Sequence, residues 1–315
     1  MADKIATREA YGNALAEFGS DSRIVVFDAD LSKSTKTDNF RKKYPERFFN
    51  MGIAEGNMMA TAAGMASCGK VVFASTFAMF AAGRAFEQIR NSICYPKLNV
   101  KIGATHAGLS VGEDGASHQA IEDIAIMRAI PNMTVISPAD AVETKYAVKA
   151  AIEHEGPVYL RLGRLNVPVI YDESSYKFEI GKGIVLSEGN DAAIIATGLM
   201  VSAALEAKEL LQQEGISARV IDIHTIKPID VDIIVKAARE TGAIITAEEH
   251  NIIGGLGSAV AEVLSENYPV PLVRVGVQDK FGKSGKPDIL LQMYGLTAAD
   301  IVKSTKAALK KKSDR

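Results

Sequence analysis

Residues 23–30 read RIVVFDAD, an apolar run that ends in two carboxylates. Such a run is typical of a strand that is buried on both faces of a sheet. The pattern recurs in KVVFAST, NVKIGATH, MTVISPAD and GPVYLRLGR, with helical stretches between the strands. This alternation predicts an α/β domain, in which a mainly parallel sheet carries helices on both faces. Because such sheets bind ligands where their strands end, Asp28 and Asp30 are candidate site residues.

A second alternating set of strands and helices follows, with predicted strands AAIIAT, ARVIDIHT and AIITAEEH. We therefore predict two α/β domains, residues 1–170 and 191–315, joined by a polar linker at 171–190. The glycine turn at 254–257 follows a strand and opens a helix, as a dinucleotide loop does. It lacks the full GxGxxG spacing, however, and tight packing of the strand against the helix explains its glycines equally well.

Composition restricts the kinds of partner. The 315 residues carry a formal net charge of −2, with no long basic run except the terminal KKK, so we expect neither nucleic acid nor a membrane as partner. No apolar run reaches the length of a membrane span. Cys68 and Cys94 lack metal-ligand spacing, and no signal peptide is recognisable. These features favour reduced thiols in a cytoplasmic protein.

Residues 51–66 read MGIAEGNMMATAAGMA and place one carboxylate, Glu55, at the start of a predicted helix. The apolar positions that follow have helical spacing, which predicts burial of this helix. A buried carboxylate without a partner takes up a proton more readily, as proton exchange near neutral pH requires. The alternative is a first-turn glutamate that faces water and favours the helix dipole.

Residues 103–132 start at a strand end and run through a glycine-rich loop, GATHAGLSVGEDGASHQAIEDIAIMRAIPN. The loop holds His106, Glu113, Asp114 and His118, and we predict a helix that begins at Ser117. Two histidines and two carboxylates suit proton transfer and recognition of hydroxyl groups. A single histidine would more often be a packing residue, but the grouping at a sheet edge favours function.

The segments that carry a family resemblance are GIAEGNMMATAAGMA, STFAMF, ATHAGLSVGEDGASHQAIEDIAIMRAIPNMTVISPAD and LGRLNVP. They resemble the pyrimidine-binding domain of transketolases, and the second domain resembles that family's C-terminal domain. The resemblance covers nearly the whole chain. It implies a thiamine diphosphate-binding fold, and an enzyme that transfers a two-carbon ketol unit from a ketose phosphate to an aldose phosphate.

Transketolases hold the diphosphate and a divalent metal with a GDG motif and a later Asn, in a further domain. The chain has no GDG triplet. It therefore resembles the C-terminal subunit of a split transketolase. This resemblance implies a partner, the N-terminal subunit with the GDG...N motif, that also holds Mg²⁺ or Ca²⁺, so we expect no metal ligand on this chain. An α2β2 heterotetramer is expected.

The resemblance also assigns residues to the cofactor. Glu55 corresponds to the glutamate that contacts the aminopyrimidine ring and promotes its imino form. Phe77 and Phe80 match aromatic residues that pack on the pyrimidine, although plain core packing is the alternative for either ring. Asp30 and Leu31 match the segment beside the thiazolium.

Substrate contacts follow in the same way. Arg8, Ser34, His106 and Arg164 match the group that binds the sugar phosphate, for which guanidinium groups are well suited. Asp114 matches the carboxylate that recognises a substrate hydroxyl. His106 and His118 line the channel and are candidates for moving protons, and the sequence leaves open which of the two is the base.

Two positions depart from the transketolase pattern: Ala107 replaces the usual Asp, and Gly83 stands where a third aromatic is expected. The run GRAFEQI also resembles deoxyxylulose phosphate synthases and beta subunits of 2-oxo acid dehydrogenases. A related thiamine diphosphate enzyme is therefore one alternative, and a catalytically silent assembly subunit is another. The intact set of site residues argues against the silent subunit.

Overall fold

The structure is a computed structural model that describes residues 3–314. In residues 3–170 the strands are β1 (Lys4–Ala6), β2 (Ile24–Asp28), β3 (Phe48–Asn50), β4 (Val71–Phe77), β5 (Val100–Thr105), β6 (Thr134–Ile136), β7 (Val158–Arg161) and β8 (Asn166–Pro168). The helices are α1 (Thr7–Phe18), α2 (Ser32–Thr35), α3 (Asp38–Lys43), α4 (Glu55–Ser67), α5 (Phe86–Gln88), α6 (Asp123–Ala129) and α7 (Ala141–Glu153). Wider π-helical turns span Phe80–Arg84 and Ile89–Cys94, and short 3-10 turns span Pro45–Arg47 and Leu109–Val111.

The remainder of the chain continues the alternation. Its strands are β9 (Ile184–Ser187), β10 (Ala192–Ala196), β11 (Ala218–Asp222), β12 (Thr225–Lys227), β13 (Ile244–Asn251) and β14 (Leu272–Val277). Its helices are α8 (Met200–Gln213), α9 (Val231–Thr241), α10 (Leu256–Asn267), α11 (Pro287–Met293) and α12 (Ala298–Ser313). No helix within residues 3–314 combines the length and apolar character needed to cross a bilayer.

Two large sheets form the framework. The first has seven strands in the order β12-β6-β7-β5-β4-β2-β3, and every neighbouring pair is parallel except β12 with β6. The second has the order β14-β13-β10-β11-β9, in which β9 is antiparallel. The prediction of two α/β units with mainly parallel sheets is confirmed. All residues of β2, β4 and β5 are buried, as their apolar runs indicated.

The segment at 171–190 is fastened to both halves of the chain. The Tyr171 hydroxyl donates a hydrogen bond to Asp222 (2.7 Å), and the Tyr176 hydroxyl donates one to Glu143 (2.5 Å). Strand β9 lies within the same segment and pairs with β11. The two halves also share strands, because β12 joins the first sheet. The domain boundaries at residues 170 and 191 stay a prediction.

The glycine turn before α10 is filled by a side chain of the protein itself. The Glu248 carboxylate accepts hydrogen bonds from the backbone N–H groups of Leu256 (2.7 Å) and Gly257 (2.8 Å). Burial raises the pKa of Glu248 to about 7. A Cβ at Gly255 would lie 2.0 Å from Glu248 Oε2. The position where a dinucleotide loop binds phosphate is therefore occupied, and close packing accounts for the glycines.

Two glycines offer a direct test of packing in the first domain. A Cβ at Gly103 would lie 2.2 Å from the Tyr11 hydroxyl, which is bonded to Ser75. We expect Gly103→Ala to lower the free energy of unfolding by about 1–3 kcal/mol through overpacking, measured by urea denaturation. Gly64 lies inside α4, where a Cβ would meet no described atom within 4 Å. Gly64→Ala should instead raise the free energy of unfolding by about 0.5–1 kcal/mol. Equal effects of the two substitutions on this free energy would contradict the packing described here.

Candidate active site

The site lies where parallel strands of the first sheet end. Asp28 of β2 pairs with Ser75 of β4, and Phe77 of β4 pairs with Thr105 of β5. Neighbouring parallel strands end side by side, so the residues that follow them are brought to one edge. Five of the predicted cofactor and substrate residues lie in or directly after these strands: Asp30, Leu31, Phe77, Phe80 and His106.

The turn after β2 is shaped by a buried carboxylate. Asp28 accepts hydrogen bonds from the Leu31 backbone N–H (2.6 Å) and the Thr35 hydroxyl (2.7 Å). Burial raises the pKa of Asp28, while these hydrogen bonds oppose the rise. Asp30 is exposed, has a left-handed backbone (φ 64°) and accepts a hydrogen bond from the Asn50 amide (2.8 Å). Asp28 therefore has a structural role, and it fixes the turn that presents Asp30 and Leu31.

Glu55 is the first residue of α4 and only 4% exposed. This excludes the alternative of a glutamate that faces water. Its carboxylate accepts a hydrogen bond from Arg84 Nη1 (3.0 Å), and the Arg84 guanidinium lies over the Phe80 ring, 4.0 Å from its centroid. Arg84 is a site residue that the sequence analysis missed. Its signal in the sequence is the run GRAFEQI, which also carries the resemblance to related thiamine diphosphate enzymes.

Aromatic rings form one wall of the site. The buried Phe77 stacks on the His106 ring (centroids 3.9 Å apart) and lies 5.8 Å from the Phe80 ring. The ring of His118 meets Phe80 edge-on at 5.3 Å, and its Nδ1 is 3.0 Å from the Ser117 hydroxyl. The structure thus groups both predicted phenylalanines with both predicted histidines. Phe80 begins a π-helical turn, a local form that is frequent at functional sites.

Arg8 and Arg164 are brought together by the short antiparallel pair β1–β8. Strand β1 leads directly into α1, which carries Arg8, and β8 follows the turn at 163–165, which carries Arg164. The Thr7 hydroxyl accepts a hydrogen bond from the Gly163 backbone N–H (2.7 Å), which ties α1 to this turn. Burial and the charge of Arg164 lower the pKa of Arg8. Two guanidinium groups that repel each other in this way form a region that favours an anion.

The environment of Arg8 supports the same conclusion. Its Nη1 donates to the backbone oxygen of Ser34 (2.7 Å), whereas its Nε is buried and lacks a hydrogen-bond partner within residues 3–314. A buried N–H donor without an acceptor is costly. This donor fits a bound phosphate oxygen. Contact with Ser34 is through the backbone, so its hydroxyl stays available.

His106 is buried and has a left-handed backbone (φ 58°). Its Nδ1 lies 2.9 Å from the Thr105 hydroxyl. Burial, followed by the charges of Arg8 and Arg164, lowers the pKa of His106 to about 3. The ring is therefore neutral at physiological pH and exchanges hydrogen bonds rather than providing a positive charge.

The loop after β5 differs from the prediction at one point. Ser117 does not begin a helix, because the backbone N–H of His118 turns back to Gly115 (3.0 Å) and α6 begins only at Asp123. Asp114 is exposed on this loop, and among the described residues no contact joins it to the aromatic rings. Arg164 reaches the loop, where Nη1 donates to the Val111 oxygen.

Within residues 3–314, no group of three or more His, Cys, Asp or Glu side chains could hold a metal ion. A buried carboxylate beside aromatic rings fits the aminopyrimidine end of a thiamine cofactor, because such a ring binds through its faces and through one ring nitrogen.

The comparisons with known proteins agree with this arrangement. Residues 3–169 match the pyrimidine binding domain of transketolase, and residues 181–301 match the transketolase C-terminal domain. The chain belongs to the transketolase family. Because the chain belongs to this family, it is part of a transketolase-type enzyme, the class that the sequence resemblance indicates. Enzymes of this family use thiamine diphosphate.

Individual relatives indicate the split form. A provisionally named transketolase C-terminal section of Methanocaldococcus jannaschii is 54% identical, with 96% of each chain covered. The 6-deoxy-6-sulfo-D-fructose transketolase subunit of a Clostridium species is 43% identical over 98% of this chain and 96% of its own length. A solved split-gene transketolase, an inactive β4 tetramer, is 62% identical with a TM-score of 0.92 and covers 98% of this chain and 99% of its own. The chain is thus similar, along almost its whole length, to a transketolase C-terminal section and to subunits of split transketolases.

The low pKa of His106 has a measurable consequence. We expect its ring signal in NMR spectra, assigned with His106→Gln, to show no titration between about pH 5 and pH 8. Since the folded pKa of about 3 lies below the usual 6.5, the unfolded chain takes up a proton first as the pH falls. Stability should therefore be lost between these two values, and less so in His106→Gln. A titration midpoint near 6.5 would contradict the buried, neutral ring.

Proposed function

We propose that this chain supplies the pyrimidine-binding half of a split transketolase, which moves a two-carbon ketol unit from a ketose phosphate to an aldose phosphate. The observation that supports this most strongly is the combination of a buried Glu55, linked through Arg84 to the Phe80 ring, with the pair of guanidinium groups of Arg8 and Arg164. Thiamine diphosphate, when bound, supplies the chemistry that breaks and forms the carbon–carbon bond.

On the cofactor side, the Glu55 carboxylate would hold a proton at a ring nitrogen of the aminopyrimidine. Its burial excludes water, and Arg84 holds its carboxylate in place through the 3.0 Å hydrogen bond. Phe77 and Phe80 would pack on the face of the pyrimidine, and Asp30 with Leu31 would border the thiazolium. These contacts fix the cofactor's orientation, which is the protein's share of the catalysis.

On the substrate side, Arg8 and Arg164 bind the phosphate, with Ser34 beside them. The neutral His106 donates or accepts a hydrogen bond at the reacting carbonyl, and His118, at the edge of the aromatic wall, moves protons to and from the sugar hydroxyls. Asp114 recognises a substrate hydroxyl from its exposed position on the loop.

The partner is the N-terminal subunit that carries the GDG...N motif and the Mg²⁺ or Ca²⁺ site, assembled with this chain as α2β2. The split-gene relative that was solved as an inactive β4 tetramer supports the need for that partner. A role in pentose phosphate metabolism and a cytoplasmic location are part of the proposal. One relative is named as a transketolase subunit for a sulfonated sugar, so the assay of this complex should include both sugar phosphates and a sulfonated sugar.

Replacement of the buried carboxylate tests the cofactor assignment. In the complex with its partner, Glu55→Gln should lower kcat about 10²–10⁴-fold, because the amide cannot exchange a proton with the cofactor. Ketol transfer is measured beside Glu266→Gln, a matched change at an exposed glutamate of α10, which should keep full activity. Circular dichroism should show both variants folded. Full activity of a folded Glu55→Gln enzyme would disprove the assignment.

Removal of one guanidinium tests the phosphate site. Arg164→Ala should raise KM for phosphorylated substrates about 10-fold or more, since a charge-assisted contact contributes about 1.5–3 kcal/mol. Unphosphorylated sugars should be affected far less. Arg23→Ala, at an exposed arginine paired with Asp21, serves as control. An equal loss with both kinds of sugar would show that Arg164 does not bind the phosphate.

A further inference from the structure

The second domain holds a loop of the first. The loop spans residues 107–120, its ends pair through their backbones, and it carries Asp114 and His118. Leu109 of the loop and Ile121 just beyond it are buried in the hydrophobic core of the second domain. The position of the loop therefore depends on a domain that contributes none of the predicted cofactor or substrate residues.

Polar contacts reinforce this attachment. Gln119 is 2% exposed, and its amide nitrogen donates to the backbone oxygens of Leu109 (3.1 Å) and Lys283 (3.0 Å). The Ser284 hydroxyl donates to the Glu113 backbone oxygen (2.6 Å). The segment at 283–284, between β14 and α11, is thus bonded both to the base and to the outer part of the loop.

The loop and the second domain are also closely packed at this contact. A Cβ at Gly282 would lie 1.8 Å from Gln119 Oε1, so only glycine fits there without a shift. On the inner side, the Ser110 backbone N–H and hydroxyl both donate to the buried carboxylate of Glu249 in β13. The loop is consequently held at two separate places by the second domain.

The held loop contacts the phosphate-binding residues. Arg164 Nη1 donates to the Val111 oxygen and lies 3.7 Å from the Glu113 carboxylate. A shift of the outer loop would displace this guanidinium. We propose that the second domain positions the loop 107–120 for sugar-phosphate binding, with Ser284 and Gln119 as positioning residues. This inference rests on the proposed function, since it concerns how that site is set for its substrate.

Ser284→Ala is the sharpest test, because Ser284 is exposed and the change removes a single hydroxyl. In the complex with the partner subunit, we expect KM for a phosphorylated substrate to rise about two- to tenfold, with kcat unchanged. Ser284→Thr should restore the wild-type value. The matched control is Ser265→Ala, at an exposed position of α10, which removes a hydroxyl that also donates to a backbone oxygen.

Hydrogen exchange of the chain alone gives a reading that needs no activity. The backbone N–H groups of Gly115 and His118 are bonded within the loop, so looser attachment should speed their exchange in Ser284→Ala but not in Ser265→Ala. Faster exchange together with a raised KM supports the inference. Unchanged exchange, or an unchanged KM despite faster exchange, overturns it. An inactive wild-type complex would instead disprove the proposed function and, with it, the substrate role of the loop.

Discussion

The parallel pairing of β2, β4, β5 and β7 is the constraint on which the site depends. Backbone hydrogen bonds set the register of these strands, so the chain leaves the sheet along one edge at fixed positions. Because of this register, the turn after β2, Phe77 at the end of β4 and the histidine after β5 meet at this edge. Buried polar groups need hydrogen-bond partners. The Asp28 carboxylate accepts hydrogen bonds from the Leu31 backbone N–H and from the hydroxyls of Thr35 and Thr37, in the turn that it stabilises.

Features that depend on local pattern were predictable. The buried strands follow from continuous apolar runs, and the burial of Glu55 follows from the helical spacing after it. The partner of Glu55 was not predictable, because Arg84 reaches it from a π-helical turn that lies 29 positions further along the chain. The meeting of Arg8 with Arg164 depends on the β1–β8 pair, whose strands are too short to leave a clear signal.

The wrong helix start at Ser117 has a related physical cause. Serine is a common first residue of a helix, and the sequence offered nothing to oppose that reading. In the structure, Gly112 and Gly115 take positive φ values (88° and 76°), and the loop folds back on itself in turns. Contacts from Lys283 and Ser284, distant in sequence, hold this shape, and a local pattern cannot include them.

The charged groups of the site belong to its phosphate-binding side. Two guanidinium groups face a neutral histidine, and the phosphate-binding side has an unpaired buried donor at Arg8. A negatively charged sugar satisfies this side. The split-gene relative implies a partner subunit for the opposite, diphosphate-binding side.

The most direct test of this account is ketol transfer from xylulose 5-phosphate to ribose 5-phosphate in the presence of thiamine diphosphate and magnesium. The chain is assayed alone and together with its N-terminal partner subunit. We predict transfer by the mixture and none by the chain alone. Transfer by the isolated chain would contradict the account, as would its absence from a stable complex that has bound the cofactor.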